Sequence, residues 1–200
     1  MKRTWLVLMI VLAMISSTNA MDLLVGGTYY DGHEGSLWTD GYGTDIQLRI
    51  PVASQIDIGL GTGYYRYNWG VTDASARYKW YRKYYNTNGS LRAIPLGISG
   101  IYKIPVKKCK IELEAGAKYL FVTDIDVDDN TATKYWSESE AKDIGNFWLG
   151  HLGANLVIPV GTPSIVCGLG YQWELGTTNL GGQVNNLEGA FARVGLMLPI

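Results

Sequence analysis

The sequence predicts an all-β fold, an eight-stranded antiparallel up-and-down transmembrane β-barrel formed by residues 21–200. Three observations carry this prediction. Apolar and polar residues alternate in eight segments, short and long connections alternate between the segments, and charged residues are few. They make up 18% of the chain, against about 25% in typical soluble proteins. No stretch after residue 20 is apolar for long enough to form a transmembrane helix, so a membrane crossing would have to use strands.

The first 20 residues have the pattern of a secretory signal peptide. Lys2 and Arg3 give a positive start, residues 5–15 form a short apolar run, and small and polar residues lead to Ala20. The alternative is a buried N-terminal helix, because the run is too short to span a bilayer. We expect cleavage after Ala20 and export of residues 21–200 as one barrel domain.

The eight segments alternate between apolar and less apolar side chains. In the fifth segment, Ile111 and Leu113 lie on one face, whereas Glu112 and Glu114 lie on the other. Side chains two residues apart share a face because a strand has a period of two. We predict strands at residues 22–31, 43–51, 55–68, 90–104, 109–122, 146–159, 164–175 and 187–199.

The connections between the segments are of two kinds. Three are short, and each follows an Ile-Pro-Val sequence, at residues 50–52, 104–106 and 158–160. Proline cannot donate to a sheet ladder and is therefore expected at strand ends. The others are long and polar, at about residues 32–42, 69–89, 123–145 and 176–186. Short turns at one end and long loops at the other are typical of outer-membrane barrels, whose short turns face the periplasm.

Aromatic side chains concentrate at the long-loop ends of the segments. Aromatic rings favour the interface between lipid headgroups and hydrocarbon, so we interpret them as a girdle at one edge of a bilayer. A general preference of Tyr and Trp for strands would not explain their concentration at one end. The predicted girdle comprises Tyr29, Tyr30, Tyr42, Tyr64, Tyr65, Tyr67, Trp69, Tyr119, Phe121, Phe147, Trp148, Tyr171 and Trp173.

In strand count, turn and loop asymmetry, aromatic girdle and signal peptide, residues 21–200 resemble the small eight-stranded outer-membrane barrels, such as the OmpA transmembrane domain and OmpX. The resemblance implies a place in the outer membrane of a Gram-negative bacterium and insertion by the outer-membrane assembly machinery. It also implies a non-enzymatic, structural or surface-interaction role through the long extracellular loops. Such barrels usually end in an aromatic residue that assists recognition by that machinery, whereas this sequence ends in Ile200.

The main alternative fold is a secreted, soluble, lipocalin-like barrel that binds an apolar ligand. Such a barrel needs a polar outer face, whereas the less apolar face here combines many glycines with few charges of both signs. We therefore expect this face to line a narrow, plugged interior, in which an unpaired charge would be costly. The ion-pair network predicted there comprises Asp45, Arg49, Asp57, Glu112, Glu114, Lys118, His151, Glu174 and Arg193, together with the polar Gln47, Asn155 and Gln172.

The sequence contains no recognisable motif for catalysis or for a cofactor. Neither His33, in the first long loop, nor His151, on the sixth segment, lies in a nucleophile or zinc motif. We predict no enzyme activity, no cofactor and no resident metal. A membrane-embedded lipid-modifying hydrolase remains the alternative, because several serines lie in or near the loops: Ser36, Ser90, Ser137 and Ser139.

The third long loop is acidic and begins like a calcium-binding loop at Asp124. The match is weak, because the expected Gly and Glu are replaced by Asp129 and Tyr135. A solvated acidic loop is the simpler interpretation. The net charge of −1 gives no case for a nucleic-acid partner.

The second long loop interleaves cations with aromatic rings. If exposed, it could contact lipopolysaccharide phosphates, sugars or another surface ligand through charge and stacking. The same segment could extend the third and fourth strands beyond the bilayer as a ribbon, with Asn88-Gly89 as its turn. The residues that we assign to surface contact are Arg77, Lys79, Trp80, Tyr81, Arg82 and Lys83.

The two cysteines, Cys109 and Cys167, lie at the starts of the fifth and seventh segments. With the sixth strand between them, two strand spacings place them about 9–10 Å apart. A disulfide spans at most about 7 Å between Cα atoms, so we predict no bridge.

Overall fold

The computed structural model describes residues 21–32, 38–77, 82–127, 146–176, 178–180, 183–185 and 187–200. The predicted signal peptide lies outside these ranges. Among the described residues, no helix is long and apolar enough to cross a membrane. The described strands are β1 (Asp22–Gly32), β2 (Trp38–Ala53), β3 (Ile56–Arg77), β4 (Arg82–Val106), β5 (Cys109–Val127), β6 (Phe147–Pro159), β7 (Ser164–Glu174), β8 (Thr178–Leu180), β9 (Gln183–Asn185) and β10 (Gly189–Pro199).

Eight of these strands form a closed antiparallel barrel in which β1 to β7 follow in chain order and β10 completes the ring. The barrel closes between β1 and β10, which pair without a break from Asp22 opposite Pro199 to Gly32 opposite Gly189. The backbone N–H of Ile200 also donates to the carbonyl of Met21 at 2.7 Å. The fold class and all eight predicted strands are confirmed. The short β8 and β9 pair with each other in the last long connection.

The short connections lie where the Ile-Pro-Val sequences predict them. Two residues connect β2 to β3, two connect β4 to β5, and four connect β6 to β7. In the last turn, the Val160 N–H donates to the Pro163 carbonyl at 2.9 Å. Pro51 and Pro105 lie just inside the ends of their strands rather than after them, since β2 continues to residue 53 and β4 to residue 106.

The apolar face of the barrel points outward. Leu113, Leu156 and Leu196 are 46%, 42% and 52% exposed, whereas Glu112 and Glu114 are 1% and 2% exposed. A water-soluble barrel would show the reverse, because exposed hydrocarbon is unfavourable in water and buried carboxylates are costly. The inside and outside assignment made from the alternation therefore agrees with the structure.

The third and fourth strands extend well past their predicted ends. β3 reaches Arg77 and β4 begins at Arg82, with Arg77 opposite Arg82 in the ladder. The ribbon extension is present, but the predicted turn at Asn88-Gly89 is wrong. Gly89 lies within β4 opposite Trp69, where an added Cβ would collide with the indole ring of Trp69 and the carbonyl of Asp126. Glycine is used there for a close approach and not for a turn.

The β3–β4 ladder has a gap beside Pro95. Pairing runs up to Thr62 opposite Leu96 and resumes at Tyr65 opposite Ala93 without a change of register. Pro95 still pairs with Leu120 of β5, so the gap faces β3 alone. Proline has no N–H to donate and is normally confined to sheet edges. A closed barrel has no edge, so this residue weakens one seam of the wall.

Candidate functional site: the barrel interior and its outer rim

Side chains fill the described interior in three layers. The layer at the short-turn end is apolar and consists of Leu24, Val157, Val166 and Met197. The layer at the long-loop end is aromatic and aliphatic and consists of Tyr30, Tyr65, Tyr67, Trp69, Leu91, Ala93, Leu120, Phe147, Leu149 and Leu187. Most of the polar and charged side chains lie between these two layers, and the pair of Asp57 and Lys103 lies at the short-turn end on β3 and β4. An eight-stranded barrel is just wide enough for side chains to fill it in this way.

Glu114 of β5 is the centre of the polar layer. Its carboxylate pairs with Arg193 of β10 and lies 3.6 Å from Nε2 of His151. It also accepts hydrogen bonds from Nε2 of Gln47 at 2.7 Å and Nδ2 of Asn155 at 3.2 Å. Because these partners come from β2, β6 and β10, one buried carboxylate connects β5 to three other strands.

A second buried ion pair lies closer to the short-turn end. Nη1 of Arg49 donates to Glu112 at 2.5 Å, with both side chains at most 2% exposed. Nε of Arg49 donates to Gln47 at 2.9 Å, which joins this pair to the partners of Glu114. Nη1 also lies 3.4 Å from the sulfur of Met197 in the apolar layer. Buried charges need such partners because desolvation is costly.

Asp45 occupies the long-loop side of the polar layer. It accepts hydrogen bonds from Thr28 and from the Tyr65 hydroxyl. The ammonium of Lys118 lies 3.3 Å from that hydroxyl and over the rings of Tyr65 and Phe191, at 5.1 and 5.7 Å from their centres. Cation–π contacts of this kind stabilise a lysine removed from water.

An interior cavity of about 40 Å³ lies beside these groups. Its lining includes Gly61, Gly97, His151 and Arg193, and Nδ1 of His151 has no hydrogen-bond partner among the described residues. The volume has room for only a few water molecules.

The outer rim of β3, β4 and β5 carries a second group of charges. Arg66 lies directly opposite Arg92, and Arg92 lies opposite Asp124. Nη1 of Arg92 donates to Asp124 at 2.9 Å in a pair open to the surroundings. Nearby, Asp40 accepts hydrogen bonds from Asn68 at 3.1 Å and from Thr39 at 3.0 Å.

Solved structures of other proteins share this architecture. The outer membrane protein OprG from Pseudomonas aeruginosa is 8% identical, with a TM-score of 0.58, over 90% of this chain and 95% of its own. Neisserial surface protein A is 11% identical, with a TM-score of 0.57, over 91% of this chain and 99% of its own. A major outer membrane protein from Thermus thermophilus is 12% identical, with a TM-score of 0.56, over 90% of this chain and 98% of its own.

This chain has the fold of the small eight-stranded outer-membrane barrels. At such low identity the likeness concerns the fold alone. No protein-family model matches the chain, and no curated protein is similar to it in sequence.

Within this outer-membrane barrel fold, the structure places the nine residues of the predicted interior network on inward-facing positions. Asp57 pairs with Lys103 at 2.6 Å, and Lys103 was not among the predicted residues. The alternation of the fourth segment, in which Ser99, Ile101 and Lys103 share a face, could have revealed it. Glu174 lies apart from Glu114 and accepts a hydrogen bond from the backbone N–H of Leu187 at 3.3 Å.

The predicted aromatic girdle divides into two sets in this barrel. One set is exposed on the outer surface and comprises Tyr29, Tyr42, Tyr64, Phe121, Trp148, Tyr171 and Trp173. The ring centre of Tyr119 lies 5.0 Å from that of Trp148. Tyr30, Tyr65, Tyr67, Trp69 and Phe147 are instead buried in the interior. Neighbouring residues such as Tyr64 and Tyr65 must point to opposite faces, so the girdle prediction is wrong for the second set.

The surface-contact residues are only partly within the described chain. Lys79, Trp80 and Tyr81 lie outside the described residues, as do His33, Ser36, Ser137 and Ser139. Arg77 ends β3, and Arg82 and Lys83 begin β4.

In the described part of the barrel, Ser99, His151 and Glu114 line one interior cavity, and the Ser99 hydroxyl accepts a hydrogen bond from Gln47. His151 lies beside Glu114, but no serine of the described ranges hydrogen-bonds to it. The same ranges contain no group of three or more potential metal ligands. Cys109 and Cys167 form no disulfide, and β6 lies between their strands.

Proposed function

We propose that this chain is a non-enzymatic protein of the bacterial outer membrane, exported by residues 1–20 and closed to solutes. Its roles are structural and interactive, through contacts that the long-loop end makes outside the bilayer. The main support is the distribution of side chains: hydrocarbon covers the outer wall, with Leu169 69% exposed, while Arg49 and Glu112 are enclosed. That distribution suits lipid outside and a polar interior.

The same distribution argues against a soluble carrier of an apolar ligand. Such a carrier would need an apolar lumen and a hydrated outer wall. Here the middle of the lumen contains Arg49, Glu112, Glu114 and Arg193, with few water-sized spaces between them.

Fractionation of cells that produce the chain tests the location. We expect it in the outer membrane, with an unboiled gel band that shifts on boiling because a folded barrel resists SDS. A soluble periplasmic product without this shift would overturn the proposal. A chain that lacks residues 1–20 is the matched control and is expected to stay in the cytoplasm without a folded band.

Planar-bilayer conductance tests the closed interior. We expect the refolded barrel to give no stable channel, because an apolar layer closes the long-loop end and packed, paired side chains leave only a small cavity in the interior. Sustained conductance from a single barrel would show that the plug is open.

The loop contact is proposed for a surface ligand that carries anionic groups, lipopolysaccharide included. We assign this contact to the cations among the surface-contact residues, which are Arg77, Lys79, Arg82 and Lys83. We expect their combined change to Gln to weaken binding of the refolded barrel to immobilised lipopolysaccharide. Changing Lys107, Lys108 and Lys110 at the short-turn end is the control. If the loop variant and the control variant bind lipopolysaccharide equally well, the assignment of binding to the loop is wrong.

A further inference from the structure

We propose that the outer face of β3 and β4 binds the phosphate of an anionic membrane lipid through Arg66 and Arg92. This inference rests on the proposed membrane location. It assigns a lipid site to the barrel wall, separate from the surface-contact residues of the second loop.

The two arginines are direct neighbours on the outer wall. Tyr65, Tyr67, Leu91 and Ala93 are buried in the interior, so the residues between them, Arg66 and Arg92, point outward. They lie opposite each other in the β3–β4 ladder. Like charges directly opposite on neighbouring strands are destabilising, so this pair needs a counter-charge.

The described acids supply only part of that counter-charge. Asp124 pairs with Nη1 of Arg92, and Asp40 is bound by Asn68 and Thr39 instead. None of the acids in the described ranges pairs with Arg66, and its Nε is buried without a hydrogen-bond partner. A guanidinium has five donors in a planar fork that matches phosphate oxygens. A phosphate between the two arginines would give the Arg66 guanidinium the negative partner that the described acids do not supply, and it would offset the repulsion between the two arginines.

The position of the pair along the barrel fits a lipid headgroup. Tyr42, the ladder partner of Arg66, and Tyr64 are exposed on the same wall, at 55% and 47%. Exposed tyrosines mark the interface between headgroups and hydrocarbon. The arginines therefore lie at the level where a bilayer carries its phosphates.

An apolar groove lies on the same wall, on the short-turn side of the arginines. Arg66 lies six positions along β3 from Leu60, about 20 Å, a distance that an acyl chain can cover. The headgroup would lie over the arginines and a chain would lie in the groove, whose lining comprises Leu23, Ile46, Leu48, Leu60, Gly61, Thr62, Leu96 and Gly97.

Native mass spectrometry of the refolded barrel in detergent micelles tests the site, with phosphatidylglycerol and phosphatidylcholine as probes. We expect the wild-type barrel to retain phosphatidylglycerol about tenfold better, the ratio that one charge-assisted hydrogen bond supplies. Arg66→Gln should remove most of this preference and Arg66→Gln with Arg92→Gln all of it. The control, Lys108→Gln with Lys110→Gln at the opposite end, should keep it.

Three results would overturn the inference: equal retention of both lipids, an unchanged preference in the double variant, or displacement of the lipid by excess inorganic phosphate. The last result would indicate a site for free anions. The unboiled gel band separates this failure from a failure of the proposed function. If the double variant keeps both the heat-modifiable band and the preference for phosphatidylglycerol, the barrel assignment stands and the lipid site alone is wrong.

Discussion

Glu114 of β5 and Arg193 of β10 form an ion pair across the interior of the barrel, between strands that are not neighbours in the wall. β6 and β7 lie between β5 and β10 on one side of the ring. Ladder hydrogen bonds connect only adjacent strands, so this pair connects parts of the wall that the backbone does not. Gln47 extends the connection to β2 on the far side.

Replacing Glu114 with Leu should destabilise the barrel by about 3–5 kcal/mol, because the change leaves the Arg193 guanidinium buried without its partner. Urea unfolding of the refolded protein in lipid bilayers measures the free energy. Adding Arg193→Met to the Glu114→Leu variant should recover part of the loss, since no unpaired charge then remains. Asp124→Asn, in an exposed pair, should cost less than about 1 kcal/mol. Equal costs for the buried and the exposed pair would contradict the network.

Alternation in the sequence was sufficient to place Glu112 and Glu114 in the interior, because the period of a strand decides its two faces. It could not predict that Glu114 pairs with Arg193 or that Asp57 pairs with Lys103. Those pairs depend on the stagger of eight strands around the ring, which no local pattern encodes. The buried aromatic layer follows from the same period, because neighbouring aromatic residues such as Tyr64 and Tyr65 lie on opposite faces and only one of the two can face outward.

Leu169 tests the lipid-facing wall directly. It lies in the middle of β7 and is 69% exposed, so Leu169→Arg should cost about 2–4 kcal/mol in a bilayer. Leu175, 52% exposed and one residue past the end of β7, is the matched control, and Leu175→Arg should cost about 1 kcal/mol or less. Both free energies come from urea unfolding in phospholipid vesicles. In a water-exposed wall the two substitutions would be equally harmless, and that result would count against the membrane assignment.

Gly89 and Gly100 of β4 form a second matched pair. An added Cβ at Gly89 would collide with the ring of Trp69 and the backbone of Asp126, whereas nothing lies within 4 Å of the corresponding position at Gly100. Gly89→Ala should therefore destabilise by about 1–3 kcal/mol through overpacking. Gly100→Ala should be neutral or stabilise by up to about 1 kcal/mol, because glycine weakens a strand. A stable Gly89→Ala variant would show that the ring of Trp69 and the backbone at Asp126 can both move aside.

Pro95→Val should stabilise the barrel by about 0.5–1.5 kcal/mol, the net value of one hydrogen bond. Valine supplies the N–H that proline lacks, and the unpaired stretch of β3 opposite, at Gly63 and Tyr64, can accept it without a change of register. Valine also favours strands. The control is Pro159→Val at the exposed end of β6, where no comparable gain is expected. If Pro95→Val lowers the urea midpoint instead, the gap between β3 and β4 is imposed by the packing around the cavity that Pro95 lines and not by its missing donor.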